Sequence, residues 1–147
     1  MGESIEAAGD CVFCRILAGD LPASFVLEDA VTVAFLDVRP ISQGHALVVP
    51  RRHRARLDDV DDLEGSAMWS AAQRIAGAAQ RALHASGANL LLADGDVAGQ
   101  EVDHIHLHVI PRYRSDDLVL NARAWTQSAP EREELMATAS MLAAALR

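Results

Sequence analysis

Three histidines alternate with apolar residues in the run His104-Ile105-His106-Leu107-His108. Successive side chains of a β-strand point to opposite faces, so the three imidazoles would share one face and the two apolar side chains the other. A neutral imidazole is a nucleophile near neutral pH, and it is also a common metal ligand. The run therefore indicates a catalytic or a metal-binding face. Its spacing alone leaves both open, beside the alternative of a solvated histidine stripe.

A second reactive pattern is Cys11-Val12-Phe13-Cys14, a C-x₂-C pair of the kind that binds zinc. A thioredoxin-like redox pair would follow a strand and open a helix in a βαβ unit, and the ten preceding residues show no strand pattern. A structural disulfide is disfavoured in a reducing compartment. We interpret the pair as metal ligands, with two small buried hydrophobic side chains as the alternative.

The 147 residues, half of them apolar, fit one domain with a substantial core, which we place at residues 11–147 after a flexible N-terminus, 1–10. A net charge of −8 argues against binding to nucleic acid, whose phosphates require a basic surface. No apolar run reaches the roughly 18–20 residues of a membrane span, and the acidic start does not resemble a signal peptide. We expect a cytoplasmic protein that binds neither nucleic acid nor membranes.

Capping signals and hydrophobic periodicity predict the first two helices. Asp10 would cap a short helix from Cys11 to about Ala18. Apolar residues at helical spacing predict one long amphipathic helix from Asp62 to about Ser86, which Gly87 would end.

Runs of β-branched and other apolar residues between turn signals predict five strands, at 25–28, 31–36, 46–49, 89–93 and 104–110. Pro50 and Pro111 would close two of them, and a last helix would start at Pro130 with Ser128 as its cap. The order helix, three strands, helix, two strands, helix predicts the α+β class, an antiparallel sheet of about five strands with helices packed on it.

The residues around the histidine run resemble the signature of the histidine-triad (HIT) family, His-φ-His-φ-His-φ-φ with φ apolar, over Gly99–Arg112. The resemblance extends upstream to Phe35–Pro40 and Gly44–Pro50, and is similar to the zinc-containing type of the Hint-like branch. It covers roughly Cys11 to Arg112, which leaves residues 113–147 as a C-terminal extension with the last helix. A HIT-like fold is implied.

The resemblance implies a catalytic role for four side chains. His106 corresponds to the nucleophile that attacks an α-phosphorus and forms a covalent nucleotidyl-histidine, His108 to a phosphate contact, and His45 to a second histidine near the leaving group. Gln100 corresponds to a polar contact of the phosphate or leaving group. Glu101 stands where some relatives have Ser. Because a carboxylate pointing inwards would repel a phosphate oxygen, we expect the backbone of Glu101, and not its side chain, to matter there.

The resemblance also implies a nucleotide pocket. Asp37 corresponds to the acid that binds the ribose hydroxyls. The base pocket corresponds to apolar side chains that would equally suit the core: Val12, Phe13, Ile16, Phe35, Leu36 and Val38. Ala93 stands where many relatives have Asn, and Asp94 beside it is a candidate substitute.

In zinc-bearing members of the family, the cysteine pair is joined by two histidines, which correspond here to His53 and His104. The resemblance thus implies a closed Cys₂His₂ site formed by Cys11, Cys14, His53 and His104. A site with no position left for water is a structural zinc site, and it would tie the N-terminal helix to the strand that carries the histidines.

The function implied is hydrolysis of nucleoside 5′-phosphoramidates or related nucleotide conjugates, as in a purine nucleoside phosphoramidase, by a homodimer whose interface includes the long helix. One alternative keeps the same intermediate with another leaving group or acceptor, in a dinucleoside polyphosphate hydrolase or a nucleotidyltransferase. Another is a nucleotide-binding regulatory module with little activity, which the departures at Ala93 and Asp103 would favour.

Overall fold

A computed structural model describes residues 9–120 and 129–146 of the chain. Most of the expected flexible N-terminus and the expected cap Ser128 lie outside these residues. In chain order the elements are α1 (Val12–Leu17), β1 (Phe25–Glu28), β2 (Thr32–Leu36), β3 (Ala46–Pro50), α2 (Asp62–Leu83), β4 (Gly87–Leu92), β5 (Leu107–Arg112) and α3 (Arg132–Ala145).

Within the described residues, the five strands form one antiparallel sheet in the order β1-β2-β3-β5-β4. The predicted α+β class is confirmed, as is the order of its elements. Strand β5 lies inside the sheet, because β3 pairs with it on one side and β4 on the other. The strand that contains His108 and directly follows His106 is therefore held by neighbours on both sides.

The two faces of the sheet are covered differently. Helices α2 and α3 pack on one face and form the main core, with Ile75, Val48 and Val109 completely buried. A smaller cluster on the other face contains residues of α1, β2 and β3: Cys11, Phe13, Ile16, Val33, Phe35, Leu47 and Val49. Because β2 and β3 are buried on both faces, they read as continuous apolar runs.

The long helix α2 starts at a capping box, in which Asp61 accepts the amide of Glu64 and the Glu64 carboxylate accepts the amide of Asp61. Its end differs from the prediction: α2 stops at Leu83, and His84 caps it in the left-handed conformation (φ 60°). Gly87, expected to terminate the helix, is the first residue of β4.

Two other helix starts also differ from the prediction. The cap of α1 is Cys11 and not Asp10, because the Cys11 sulfur accepts the amide of Cys14. Helix α3 begins at Arg132, since Glu131 is still extended and acts as the cap, so the predicted start at Pro130 was wrong by two residues.

The predicted strand 104–110 was displaced, because β5 spans Leu107–Arg112. The backbone before it is bound elsewhere: the amide of Ile105 donates to the carbonyl of Arg54, in the loop after β3. Pro111 lies within β5, beyond the last residue that pairs with β3, and so its missing N–H removes no ladder bond on that side.

In the described part of the chain, none of the helices combines the length and the hydropathy needed to cross a lipid bilayer.

Candidate active site and metal centre

The histidine run divides its side chains between the two faces of the sheet, as the alternation predicted. Ile105, Leu107 and Val109 all belong to the main core beneath α2 and α3. His106 and His108 point to the opposite face, where both are buried and their ring centroids lie 4.9 Å apart. The sheet thus brings the two imidazoles together on a rigid element.

The backbone sets the tautomer of His106. Its Nδ1 lies 2.8 Å from the carbonyl oxygen of His104, and a carbonyl only accepts, so the ring proton is on Nδ1. Nε2 is left with its lone pair, the form needed in a nucleophile. Burial lowers the pKa of His106, and the hydrogen bond to His104 and the charge of Glu101 oppose that shift.

His45 and His108 form a hydrogen-bonded pair whose direction is also fixed by the backbone. The amide of Ile41 donates to His45 Nδ1 at 3.0 Å, so the proton of a neutral His45 is on Nε2. That nitrogen lies 2.9 Å from His108 Nδ1, which therefore accepts. His108 then carries its own proton on Nε2, so that it can donate a hydrogen bond from there.

A tight turn places His45 in this position. Gly44 has φ of +88°, and a Cβ there would come within 2.7 Å of the Leu83 side chain in α2. The turn is followed by β3, and the completely buried His45 is the residue directly before this strand. A larger residue at position 44 would push this turn away from the helix.

These rings are neutral at physiological pH. Burial, with His108 as the next cause, lowers the pKa of His45 to about 3, and burial followed by the proximity of His106 lowers that of His108 to about 4. The 3.7 Å approach of His45 Nε2 to an Asp37 oxygen is accordingly a contact between a neutral ring and a carboxylate. Burial raises the pKa of Asp37, which also accepts the amide of Arg39.

The aromatic ring of Phe13 lies between the two groups of histidines. It makes edge contacts with His106 at 5.2 Å, His104 at 5.8 Å and Phe35 at 5.4 Å between centroids. Phe13, Phe35 and Ile16 share one apolar cluster, so the structure brings these predicted pocket residues together.

The other predicted pocket residues are placed differently. Leu36 faces the main core on the opposite side of the sheet from Phe35, because neighbours in a strand alternate. Val38 is 63% exposed in the loop after β2, and Val12 is 39% exposed on α1. The structure does not bring Leu36 into the Phe13 cluster.

The four predicted metal ligands come together at the start of α1. Cys11 Sγ and Cys14 Sγ each lie 3.5 Å from His104 Nδ1, and Cys14 Sγ lies 3.3 Å from His53 Nδ1. A tetrahedral zinc ion with ordinary Zn–S and Zn–N bonds separates its ligand atoms by about 3.5 Å. The spacing of this donor set fits zinc.

Protonation states support the same fit. His104 Nε2 lies 2.8 Å from the carbonyl of Pro50 and must donate to it, so Nδ1 presents its lone pair to the sulfurs. A metal-bound histidine usually donates its other ring N–H to a carbonyl or carboxylate in this way. Burial and the neighbouring Cys11 raise the pKa of Cys14 to about 12, so its thiol stays protonated unless a cation displaces the proton, as zinc does when it binds a cysteine.

A second group, Asp37, His45 and His108, also brings its potential ligand atoms within 4.8 Å of one another. The tautomer of His45 argues against a metal ion in this group. Because the Ile41 amide occupies His45 Nδ1, the proton stays on Nε2, which is the nitrogen that would have to coordinate. We therefore assign this group to hydrogen bonding.

Gln100 is placed differently from the expectation that it contacts a phosphate. Its buried amide binds three backbone groups: the nitrogen donates to the carbonyls of Ala55 and Val102, and the oxygen accepts the amide of Gly95. Its observed role is to join three loops. Asp94 is similarly engaged, with Arg56 and the amide of Leu57.

Sequence patterns did not identify one supporting pair. Arg54 donates through Nε to the Glu64 carboxylate at 3.0 Å, and Glu64 is buried. The carbonyl of Arg54 holds the amide of Ile105, next to the catalytic candidate His106. The Asp61–Glu64 capping box could have drawn attention to Glu64, but nothing local indicates its partner.

We predict that acid weakens the fold through the buried histidines. The unfolded chain takes up protons near the ordinary imidazole pKa of 6.5, whereas folded His45 and His108 resist protonation until about pH 3 to 4. The free energy of unfolding should be full above pH 6.5 and fall below it, by roughly 2 kcal/mol per ring at pH 5. Urea titrations at pH 7 and pH 5, with a chelator present, measure the loss.

The matched variants for that measurement are His45→Gln and His84→Gln. The first should reduce the pH dependence, and the second should not, because His84 is exposed on the end of α2. Equal pH dependence in His45→Gln and the parent would contradict the assignment.

Comparison with known proteins agrees with this geometry. The HIT domain model matches residues 18–115. A zinc-bound histidine triad family protein from Mycobacterium smegmatis superposes with a TM-score of 0.83 at 40% identity, over 95% of this chain and 94% of that one. An adenosine 5′-monophosphoramidase of Saccharomyces cerevisiae is 37% identical over 109 residues, 74% of this chain and 65% of that protein. An adenylylsulfatase of Arabidopsis thaliana is 37% identical over 116 residues, which are 79% of this chain and 59% of that protein. With its family model, its relatives and its histidine geometry in agreement, the chain belongs to the HIT, or histidine triad, family.

Proposed function

We propose that the protein hydrolyses purine nucleoside 5′-phosphoramidates or related nucleotide conjugates, with His106 as the nucleophile. The observation that carries the proposal is the hydrogen bond from His106 Nδ1 to the His104 carbonyl, which directs the lone pair of Nε2 outward from the backbone. Two named relatives, a monophosphoramidase and an adenylylsulfatase, are consistent with chemistry at a nucleotide.

The reaction would take place in two displacements at the α-phosphorus. His106 Nε2 forms a bond to phosphorus while the P–N bond to the leaving amine breaks, and the amine takes up one proton. Water then attacks the nucleotidyl-histidine, the P–Nε2 bond breaks, and the nucleoside monophosphate leaves as the water gives up one proton. His108, which carries its proton on Nε2, would donate a hydrogen bond to a phosphoryl oxygen.

The nucleoside would bind beside the smaller apolar cluster. Asp37 lies at the end of β2, where a carboxylate can accept both ribose hydroxyls. The Phe13, Phe35 and Ile16 side chains would border the base, and the edge contact of Phe13 with His106 would place the base near the nucleophile.

The central prediction concerns His106→Ala. Without Nε2 the covalent intermediate cannot form, so kcat on adenosine 5′-phosphoramidate should fall by about 10³-fold or more while AMP binding is retained. Steady-state kinetics and calorimetry measure the two quantities. His84→Ala, at an exposed histidine, is the matched control and should keep its kcat.

A rapid-quench experiment with radiolabelled substrate tests the intermediate itself. Label bound covalently to the parent and absent from His106→Ala supports the proposal; undiminished turnover by the variant would refute it. Tight AMP binding with no covalent label on the parent would favour the regulatory module. A faster rate on dinucleoside polyphosphates would favour that substrate class.

We further propose that Cys11, Cys14, His53 and His104 hold a structural zinc ion. Their spacing and the donor state of His104 support it, and a relative at 40% identity is zinc-bound. The bound ion would provide a cross-link between α1, the loop after β3 and the residue before Ile105. It would bind both sulfurs as thiolates in place of their protons, and it would fix His104, whose carbonyl accepts the proton of His106 Nδ1.

The matching prediction uses His53→Gln, because His53 is only half-buried and lies outside the catalytic pair. The variant should lose most of the bound zinc and about 5–10 °C in Tm, corresponding to a few kcal/mol of folding energy. Elemental analysis and thermal unfolding give both values. Full zinc content in His53→Gln, or an unchanged Tm for the chelated parent, would contradict the site.

We propose a homodimer in which α2 contributes to the interface. Its outer side exposes Leu63 (67%) and Trp69 (57%), and the neighbouring edge strand β4 exposes Leu90 and Leu91. Among the described residues the outer edge of β4 has no pairing strand, and such an edge beside large exposed apolar side chains is typical of a surface that another chain covers.

Sedimentation should therefore give about twice the 15.8 kDa of one chain. Trp69→Glu should shift the equilibrium towards the monomer, because a charge would be buried in the interface. Val97→Glu introduces the same charge at a 99% exposed position as the control and should not. A parent that stays monomeric at high concentration would disprove the dimer.

A further inference from the structure

Glu64, a buried carboxylate in the first turn of α2, has no part in the two displacements at phosphorus. Its side chain accepts the amide of Asp61 and so completes the capping box of the helix. Capping alone does not require burial, because a glutamate is usually solvated and a buried charge is costly unless it is paired. Glu64 is nevertheless only 4% exposed. Its burial therefore points to a second role.

The cation paired with Glu64 is Arg54, in the loop that follows β3. Its Nε donates to both carboxylate oxygens, at 3.0 and 3.2 Å. The segment 51–56 belongs to neither a helix nor a strand, whereas α2 is packed along its length into the main core. Charge-assisted hydrogen bonds are among the stronger polar contacts in proteins. This ion pair therefore anchors the loop to a rigid helix.

The backbone carbonyl of Arg54 faces the histidine run, where it accepts the amide of Ile105 at 2.6 Å. The amide of Ile105 and the carbonyl of His104 belong to one planar peptide group, so a restraint on the first also orients the second. The carbonyl of His104 accepts the proton of His106 Nδ1 at 2.8 Å. A continuous series of hydrogen bonds thus leads from the buried carboxylate to the ring of His106.

The tautomer of His106 depends on the orientation of this carbonyl. A neutral imidazole can carry its proton on either nitrogen, and only the form protonated on Nδ1 leaves the lone pair of Nε2 free to attack. If the His104 carbonyl turned away, part of the population would carry the proton on Nε2 and could not react.

We propose that Glu64 is a positioning residue for His106, which it holds in the Nδ1-protonated, nucleophilic tautomer. The effect passes through Arg54 and the peptide group between His104 and Ile105. Glu64 lies on the side of the sheet that α2 covers, whereas the ring of His106 points to the opposite face. The inference rests on the proposed function, since it concerns the side chain that would attack phosphorus.

The test compares Glu64→Gln with the parent, both as the full chain. Glutamine keeps the size of the side chain and an oxygen that can cap α2, but it removes the charge that holds Arg54. The ¹⁵N chemical shifts of the ring nitrogens report which of them carries the proton, and the signals of His106 are those absent from His106→Ala. We expect the parent to be protonated on Nδ1 and the variant to have a substantial population protonated on Nε2.

The kinetic effect should follow the tautomer. For Glu64→Gln, kcat on adenosine 5′-phosphoramidate should fall about fivefold to tenfold, the factor that one ordinary hydrogen bond provides. The dissociation constant of AMP should not change, because the proposed nucleoside pocket lies on the other face of the sheet. The zinc content, measured by elemental analysis, should also match that of the parent.

A second variant, Arg54→Lys, keeps the positive charge but loses the planar donor group, so it changes the geometry of the pair without leaving a buried carboxylate unpaired. It should shift the tautomer of His106 in the same direction as Glu64→Gln. The double variant should add little to the larger single effect, because both substitutions act through one pair. Arg54→Lys keeps the inference testable if Glu64→Gln folds poorly.

Asp116→Asn is the matched control. The Asp116 carboxylate accepts Nε of Arg112 and the amides of Tyr113 and Leu118, so it is a carboxylate of the same kind at the other end of β5. This variant should keep the tautomer and the kcat of the parent. Equal shifts in Asp116→Asn and Glu64→Gln would show only a general loosening and would overturn the proposal.

Three results for Glu64→Gln would also overturn it. The first is an unchanged tautomer, whatever the kcat. The second is a shifted tautomer with the kcat of the parent. The third is a shift accompanied by loss of zinc, which would place the effect at the metal site and not at the peptide group.

The failure of this inference is distinguishable from that of the proposed function, because the ring-nitrogen shifts require no turnover. A tautomer that depends on Glu64, in a parent without turnover, would sink the hydrolase and keep the positioning role. Turnover by the parent, with a tautomer and a kcat that Glu64→Gln leaves unchanged, would do the reverse.

Discussion

The candidate site depends on one peptide group, the one between His104 and Ile105. Its carbonyl accepts the proton of His106 Nδ1, and its N–H donates to the carbonyl of Arg54 at 2.6 Å. Hydrogen bonds at both ends of one peptide unit polarise each other and leave it no freedom to rotate. The orientation of His106 follows from this unit, which is itself held through Arg54 to the buried Glu64 of α2.

The proposed zinc site and the candidate catalytic histidines meet at the same unit. The ring of His104 belongs to the metal cluster, while its carbonyl orients His106. Gln100 adds a second restraint, since it fixes the backbone just before the run to the loop that carries His53. A change at any of these points would move the proposed nucleophile without contacting it, so the proposed metal ion and the buried Gln100 amide would both affect the chemistry.

The positions of the ring protons distinguish two histidine-containing clusters whose potential ligand atoms are similarly close together. In each ring the backbone group at one nitrogen decides the state of the other: a carbonyl at His104 Nε2 presents a lone pair to the sulfurs, whereas an amide at His45 Nδ1 puts a proton on Nε2. The first arrangement suits a cation and the second a chain of hydrogen bonds. One residue type thereby serves two purposes a few ångströms apart, and burial keeps His45 and His108 neutral.

Sequence patterns predicted what is local, and missed what depends on contacts between distant segments. The strand alternation, the long helix and the four-ligand cluster followed from periodicity, spacing and family resemblance. The start of β5 did not, because the competing partner of Ile105 is a carbonyl fifty-one residues earlier, at Arg54. Gln100 stands in a motif that suggested a ligand contact, yet its amide binds the backbone of three loops, and no local pattern reveals where those loops converge. The placement of Leu36 is different, because strand alternation alone puts it on the opposite face from its neighbour Phe35 and so predicts that the two cannot share one pocket.

The charges around His106 indicate that the nucleoside and the phosphate of a bound nucleotide would be held by different interactions. The groups that gather around His106 are neutral rings and the carboxylates of Asp37 and Glu101, so the local field does not favour a phosphate. Affinity would then come mainly from the nucleoside end, through apolar contact with Phe13 and the ribose contact of Asp37, while the phosphate is held by directed hydrogen bonds. A site of this kind would distinguish its substrates mainly at the nucleoside end, because the phosphate is common to all nucleotides.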